Sequence, residues 1–152
     1  MDLTRHLSTN DPRPPRFSIL IVDNEPITRH LLTSTLSRQY PDIRLFLAGN
    51  GAAGLKMFKD KHPDMIISDN NMPIMTGVQM VSKIQELNRK TIVVFLTADL
   101  DNETLSRLMD AGTDHFLQKP IIVRELFDIV DRYREDCLRT TSCAIPCAMV
   151  GE

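Results

Sequence analysis

The segment Asp64–Gly77, which reads DMIISDNNMPIMTG, decides the fold of this chain. Three apolar residues and one small polar residue lead up to Asp69, and the turn formers Asn, Pro and Gly follow it. This order predicts a short buried strand that delivers a carboxylate into a loop. Open α/β sheets bind ligands just outside the carboxyl ends of their strands, so Asp69 lies where such folds place their chemistry.

Three other apolar runs end in the same way. Each is followed by a polar residue: Asp23 after residues 17–22, Thr97 after residues 92–96, and Lys119 after residues 115–118. The carboxyl ends of parallel strands lie at one edge of a sheet. We therefore expect these polar groups to converge on Asp69.

The segments between the predicted strands have helical spacing of apolar residues. Pro26 is well placed at the start of a first helix that reaches about Gln39. Its apolar stripe comprises Ile27, Leu31, Leu32, Thr35 and Leu36. A fourth helix over residues 102–111 is expected to turn Leu105, Leu108 and Met109 inward, and a fifth carries Val123, Leu126, Ile129, Val130 and Tyr133. Residues 43–48 predict an edge strand, and the alternation predicts a (βα)₅ parallel sheet covered on both faces.

Four motifs in this order resemble the receiver domains of two-component response regulators. They are Ile21–Pro26 (IVDNEP), Ser68–Pro73 (SDNNMP) with Gly77, Leu96–Ala98 (LTA) and Gln118–Pro120 (QKP). The resemblance covers roughly residues 16 to 136. It implies a flavodoxin-like, doubly wound α/β sheet with strand order 2-1-3-4-5, which places Asp23 beside Asp69.

The resemblance also implies a phosphoryl-transfer site. Asp69 matches the phosphoacceptor, which would take a phosphoryl group from a phosphohistidine as an acyl phosphate. Lys119 and the Thr97 hydroxyl would contact the phosphoryl oxygens, with help from the Ala98 amide. Mg²⁺, or Mn²⁺ in its place, would be held by Asp23, Asp69 and the Asn71 carbonyl. Asn71 and Asp99 would flank the phosphoryl group, as in short-lived chemotaxis-type receivers.

One position departs from the family pattern. The family has a second acidic residue after the first strand, and this chain has Asn24, a neutral and weaker metal ligand. We hypothesise reduced Mg²⁺ affinity, for which Glu25 is a candidate compensation. The family also has a cis peptide bond at the position of Lys119-Pro120.

The implied signal path begins at Thr97 and Phe116. Phe116 matches an aromatic whose rotamer follows the Thr97 hydroxyl and carries the phosphorylation signal to the surface. The resemblance implies two partners: a sensor histidine kinase or histidine phosphotransfer protein, and a downstream protein on the face formed by the fourth helix, fifth strand and fifth helix. A monomer or weak homodimer is expected.

The composition and charge of the chain limit the classes of function that it can have. The chain has 152 residues and a formal charge of −2, which favours one domain without direct nucleic-acid binding. We divide it into an N-terminal tail (1–16), a receiver domain (17–136) and a C-terminal tail or linker (137–152). No apolar run has the length of a membrane span, so a cytoplasmic protein is expected. Cys137, Cys143 and Cys147 favour neither a disulfide framework nor a closed zinc site.

Two other functions compete with the phosphorylated receiver. A degenerate receiver that acts as a phosphorylation-independent adaptor is supported by Asn24 alone. A phosphatase of the aspartate-nucleophile class would use Asp23, but that class needs a second Asp two residues later, where this chain has Glu25. The chain also has no room for the cap domain that such phosphatases usually carry. We therefore expect a signalling module and not an enzyme.

Overall fold

The computed structural model describes residues 17–72, 74–88, 90–98 and 101–142, with side chains to residue 136. Five strands and five helices alternate along this part of the chain. The strands are β1 (Ser18–Val22), β2 (Arg44–Ala48), β3 (Met65–Asp69), β4 (Ile92–Thr97) and β5 (His115–Gln118). The helices are α1 (Pro26–Gln39), α2 (Gly51–Lys61), α3 (Gly77–Leu87), α4 (Asn102–Asp110) and α5 (Val123–Ser142).

All strands are parallel, and their order is β2-β1-β3-β4-β5. The predicted fold class and strand order are therefore confirmed, with β2 at an edge. Val22 is in register with Ser68, so the residues that follow them, Asp23 and Asp69, leave the sheet side by side. The topology alone thus brings together two residues that are distant in sequence.

The sheet separates two apolar layers. Leu32 and Leu36 of α1 and Leu126 and Val130 of α5 pack on one face. The other face is covered by α2, α3 and α4 through Phe58, Met80, Val81, Ile84 and Leu108. The central strands are buried on both faces, which explains why their sequences are almost continuously apolar.

Side chains fix the helix starts near the carboxyl edge of the sheet. Asn50 accepts a hydrogen bond from the Ala53 N–H at α2, and Asp101 accepts one from the Thr104 N–H at α4. Helix α3 begins with a capping box in which Thr76 and Gln79 satisfy each other's backbone N–H groups. The loops that surround the site are therefore anchored at defined helix ends.

The structure corrects several predictions about which helix residues face inward. In α1 only Leu32 and Leu36 are buried, whereas Ile27 and Leu31 are 75% and 60% exposed. In α4, Leu108 is buried but Met109 is 64% exposed. A helix in contact with one sheet face buries a narrow stripe, so apolar residues about a quarter-turn outside that stripe stay exposed.

Two helix ends lie at points that the sequence did not mark. Helix α2 begins at Gly51, because Asn50 supplies the cap. Helix α5 continues to Ser142, beyond the predicted domain end at residue 136. Neither Gly nor Pro occurs between residues 137 and 142, so the local sequence offers no helix terminator there. The proposed division into domain and tails remains a prediction.

Candidate functional site

The carboxyl edge of the sheet gathers the residues that the sequence singled out. Asp23 follows β1, Asp69 ends β3, Thr97 ends β4 and Lys119 follows β5. Asp23 is completely buried, and Asp69 and Thr97 are only 6% and 4% exposed. Buried polar residues are costly to desolvate, so this concentration of them marks the edge as a functional site.

Lys119 joins the two carboxylates. Its Nζ lies 3.4 Å from Oδ1 of Asp69 and 3.7 Å from Oδ2 of Asp23. The Lys119 backbone N–H donates to the carbonyl of Thr97, which fixes the start of the loop after β5. The Lys119–Pro120 peptide bond is cis, as the resemblance implied. One ammonium group thus faces two carboxylates at the same edge.

Burial dominates the electrostatics of Asp69. Desolvation raises the pKa of its carboxyl group, and the negative charge of Asp23 raises it further. The Lys119 ammonium and a hydrogen bond from the Asn71 backbone N–H oppose this rise in pKa. The site therefore favours the arrival of additional positive charge.

The donor set fits Mg²⁺. The buried Oδ2 of Asp23 accepts no hydrogen bond from any described residue, so this oxygen is available to a cation or its bound water. The described residues contain no group of three or more His, Cys, Asp or Glu side chains suited to a metal. Two carboxylates and the Asn71 carbonyl suffice for Mg²⁺, which keeps several waters.

Asn24 and Glu25, the two residues that follow Asp23, were singled out because Asn24 departs from the family pattern. Asn24 is exposed, which leaves its amide at the surface of the acidic pair. The Glu25 backbone N–H donates to Oδ1 of Asp23 at 2.9 Å, while the Glu25 carboxylate accepts the Thr28 hydroxyl at 3.2 Å. The Glu25 side chain thus lies along α1, so the structure does not support compensation by Glu25.

The loop after Asp69 is tied to α3. Asn70 accepts the Val78 N–H on its side-chain oxygen and the Gly77 N–H on its carbonyl. A Cβ at Gly77 would lie 2.6 Å from the Asp69 carbonyl oxygen and 2.6 Å from Cε1 of Phe95. Only glycine allows α3 to begin this close to the acidic site.

Arg29 belongs to the site, although the sequence analysis did not find it. Its guanidinium donates to the Asp23 carbonyl at 2.5 Å, and it also lies against Gly49. Arg29 therefore holds the loop after β1 against the loop after β2. An arginine on an amphipathic helix has no sequence signature that distinguishes this role from simple solvation.

The other predicted residues are described only in part by the structure. Ala98 is exposed beside Thr97, and Asn71 is exposed beside Asp69. Phe116 is partly buried and packs against the α2, α3 and α4 layer, in register with Phe95. Asp99, Cys143, Cys147 and the side chain of Cys137 lie outside the described residues.

Comparison with known proteins decides the family. The model of the response regulator receiver domain matches residues 19–131, which include all four strand ends of the site. The chain belongs to the response regulator receiver family. Receivers are signalling modules, and a phosphoacceptor role is the family's common property.

Two curated relatives are much longer than the receiver domain that they share with this chain. It is 31% identical over 118 residues to hybrid signal transduction histidine kinase G of Dictyostelium discoideum, covering 76% of this chain and 3% of that protein. It is 32% identical over 114 residues to regulatory protein AtoC of Escherichia coli, covering 75% of this chain and 24% of that protein. The receiver thus spans a small part of the length of these relatives.

Solved structures agree with the fold. The N-terminal domain of an uncharacterised Wolinella succinogenes protein superposes with a TM-score of 0.76 at 28% identity, covering 82% of this receiver and 98% of that chain. Vibrio cholerae chemotaxis protein CheY4 gives 0.72 at 26% identity, covering 78% and 98%. A complex of Saccharomyces cerevisiae phosphotransfer protein Ypd1 with the Ssk1 receiver gives 0.72 at 22% identity, covering 80% and 91%, and shows the fold alone.

Among the helices of the described residues, none combines the length and the apolar character needed to cross a bilayer.

Proposed function

We propose that this receiver accepts a phosphoryl group on Asp69 from a phosphohistidine. The observation that carries the proposal is the convergence of Lys119 on both Asp69 and Asp23, at 3.4 and 3.7 Å. A pair of carboxylates around one lysine suits an anion that arrives with a divalent cation. Oδ2 of Asp23 lies in this ion pair but accepts no hydrogen bond from the described residues, which leaves it able to bind a cation or its water.

In the proposed reaction, a carboxylate oxygen of Asp69 attacks phosphorus opposite the P–N bond to histidine. That bond breaks, its electron pair stays with the imidazole, and an acyl phosphate forms on Asp69. Lys119 neutralises one phosphoryl oxygen, and the Thr97 hydroxyl and Ala98 amide donate to others. Mg²⁺, held by Asp23, Asp69 and the Asn71 carbonyl, supplies further charge neutralisation when bound.

The proposed donor is a sensor histidine kinase or a phosphotransfer protein. An exposed apolar patch beside Lys119 supports a protein donor: Ile27 and Leu31 of α1 with Ile122 and Val123 after β5 are 75%, 60%, 56% and 43% exposed. A groove of about 340 Å³ lies between these segments and includes Lys119 and Pro120 in its wall. Exposed apolar surface beside an active site is typical of a docking surface.

The proposed signal leaves through Thr97, Phe116 and the face of α4, β5 and α5. Phe116 lies on the strand next to β4, which ends at Thr97, and the partial burial of its side chain supports a change of rotamer. A rotation that follows the Thr97 hydroxyl would alter the α4 side of this face. The binding partner on this face is expected to be a downstream protein.

The decisive experiment is intact-mass spectrometry after incubation with phosphoramidate and Mg²⁺. The wild type should gain one phosphoryl group, and Asp69→Ala and chelated samples should gain none. Asp131→Ala, which changes a carboxylate on α5, is the matched control and should retain the adduct. Absence of an adduct at high Mg²⁺ would favour the phosphorylation-independent adaptor, for which Asn24 is the supporting residue.

A further inference from the structure

A second cavity lies at the amino edge of the sheet, at the ends of the strands opposite to Asp69. Its volume is about 370 Å³, which is within the usual range for small-molecule sites. Its wall includes Phe17, Pro63 and Thr91, which lie just before β1, β3 and β4. Because β3 has five residues, the cavity lies on the order of 15–20 Å from the phosphoacceptor and is a separate site.

Thr91 brings a buried hydroxyl group to this wall. The residue is only 3% exposed, and its Oγ1 forms no hydrogen bond with a described residue. Burying a hydroxyl without a partner costs free energy, so groups of this kind usually bind a ligand, an ion or an ordered water. The Thr91 hydroxyl is therefore available to a polar group of a ligand.

Lys90, the residue before Thr91, adds a positive charge to the wall. Its side chain is exposed and forms no ion pair with a described residue, since the cations of the ion pairs there are Lys119 and Arg134. Asn88 lies in the same wall, and its side-chain oxygen accepts the Lys90 backbone N–H at 2.9 Å. The NH₂ group of Asn88 is therefore a further donor beside the ammonium group.

The two carboxylates of the wall already have partners. Oδ2 of Asp64 accepts the N–H and the hydroxyl of Ser18 at 2.9 and 3.2 Å, and Asp136 also has an interaction of its own. Neither carboxylate forms an ion pair with Lys90. The polar groups that remain are donors, so the cavity favours an anionic group over a cationic one.

Apolar surface lies beside these donors. Phe17 is 3% exposed, Pro63 is buried and Ile92 is partly buried, and all three share the wall with Tyr133. A molecule with a carboxylate at one end and an apolar ring or chain at the other matches this wall. Its carboxylate would accept charge-assisted hydrogen bonds, and its apolar part would lose contact with water.

Tyr133 connects the cavity with β5. Its hydroxyl lies 2.9 Å from Nε2 of His115, and the two rings pack edge to face with centroids 5.5 Å apart. His115 is the first residue of β5, the strand that also carries Phe116. A ligand in contact with Tyr133 therefore acts on a side chain that β5 also contacts.

We propose that this cavity binds a small organic carboxylate through Lys90 and Thr91, and that Tyr133 transmits this binding to β5. The amino edge of the sheet would then hold an effector site of the receiver. Binding at this edge does not require phosphorylation of Asp69.

Amide chemical shifts of the isotope-labelled full chain, titrated with benzoate, test the binding. Benzoate should shift the Lys90, Thr91 and Ile92 amides with a dissociation constant on the order of 1–10 mM, a usual affinity for a ligand of this size. Benzyl alcohol, which has the same ring without the charge, should bind about fivefold more weakly. Lys90→Gln should remove this preference for benzoate, whereas Lys56→Gln, which changes an exposed lysine of α2, should keep it.

Thr91→Val separates a binding role from a structural one. Valine keeps the shape of the side chain and removes the hydroxyl, so the affinity for benzoate should fall about fivefold. The free energy of unfolding should not fall, because Oγ1 has no hydrogen bond to a described residue that could be lost. Tyr133→Phe should bind benzoate like the wild type but lose the shift that benzoate causes at the His115 amide.

Three results would overturn parts of the proposal. Absence of shifts at Lys90 and Thr91 up to about 50 mM benzoate, well above the expected dissociation constant, would overturn the site. Equal affinity of the wild type for benzoate and benzyl alcohol, or a less stable Thr91→Val with unchanged affinity, would overturn the recognition of a carboxylate by these residues. A His115 shift that persists in Tyr133→Phe would overturn the transmission to β5.

Discussion

The carboxylates at the two ends of the sheet differ in their hydrogen bonding and electrostatics. At the amino end, Asp64 accepts the backbone N–H and the hydroxyl of Ser18 at 2.9 and 3.2 Å, and Asp114 accepts the Val93 N–H at 2.8 Å. At the carboxyl end, Oδ2 of Asp23 accepts no hydrogen bond from the described residues. Burial there also raises the pKa of Asp69.

This difference separates structural from functional acids. A carboxylate oxygen that accepts a backbone N–H stabilises the fold, and removing it leaves the donor unsatisfied. A buried carboxylate oxygen that accepts no hydrogen bond, such as Oδ2 of Asp23 among the described residues, costs desolvation free energy and is typical of a functional site. The comparison therefore predicts opposite effects on stability and phosphorylation for mutations at the two ends.

The largest expected effect is at Asp69. Asp69→Asn should abolish the phosphoryl adduct and raise the free energy of unfolding at pH 7 by about 1 kcal/mol, since a buried charge is removed without loss of shape. Intact mass and urea unfolding measure the two quantities. If Asp69→Asn is less stable than the wild type, the comparison is wrong, because the Asp69 carboxylate then stabilises the fold.

The complementary change is Asp64→Ala. It should lower the free energy of unfolding by about 2 kcal/mol, because the nearly buried Ser18 N–H and hydroxyl lose a charged acceptor. The phosphoryl adduct on Asp69 should still form below the unfolding transition. Urea unfolding and intact mass on the same sample test this pair of outcomes, and Asp60→Ala on the exposed side of α2 is the control.

A smaller effect is expected at Asn24. Asn24→Asp should tighten Mg²⁺ binding about fivefold, since one more charge near a hydrated divalent ion contributes on the order of 1 kcal/mol. Calorimetric titration measures this affinity. Asn88→Asp, at the opposite end of the sheet, should bind Mg²⁺ like the wild type. Equal affinity in Asn24→Asp and wild type would show that Asn24 does not weaken the site.

The smallest effect concerns His115 at the amino end of β5. Its Nε2 lies 2.9 Å from the Tyr133 hydroxyl, and desolvation, with help from Arg132, lowers its pKa against the opposing effect of Asp114. A histidine with a lowered pKa contributes stability that is complete above about pH 6.5 and declines as pH falls below that value.

The free energy of unfolding should therefore fall less between pH 7.5 and pH 5 in His115→Gln than in the wild type, by a difference of less than about 1 kcal/mol. Urea unfolding at several pH values provides the measurement. An identical pH dependence in the variant and the wild type would show that His115 titrates alike in the folded and unfolded chains.

The resemblance and the strand pattern predicted the fold and the main site residues. Asp69, Asp23, Thr97 and Lys119 each follow an apolar run, and a parallel sheet places all strand ends of this kind at one edge. The local sequence could not identify Arg29, because it lies on a helix where a charged residue is ordinary. Its neighbours Asp23 and Gly49 lie in the loops after β1 and β2.

The sequence by itself determined the order of strands and helices and the chemical groups at the strand ends. Hydrophobic periodicity and turn-forming residues are local properties of the sequence, so they can be recognised without knowing which residues a segment contacts in the fold. Only the tertiary structure decided that Oδ2 of Asp64 accepts two hydrogen bonds from Ser18, that Oδ2 of Asp23 accepts none from the described residues, and that Ile27 and Leu31 are exposed. Hydrogen-bond saturation and burial depend on residues far away in sequence, which the fold alone brings into contact.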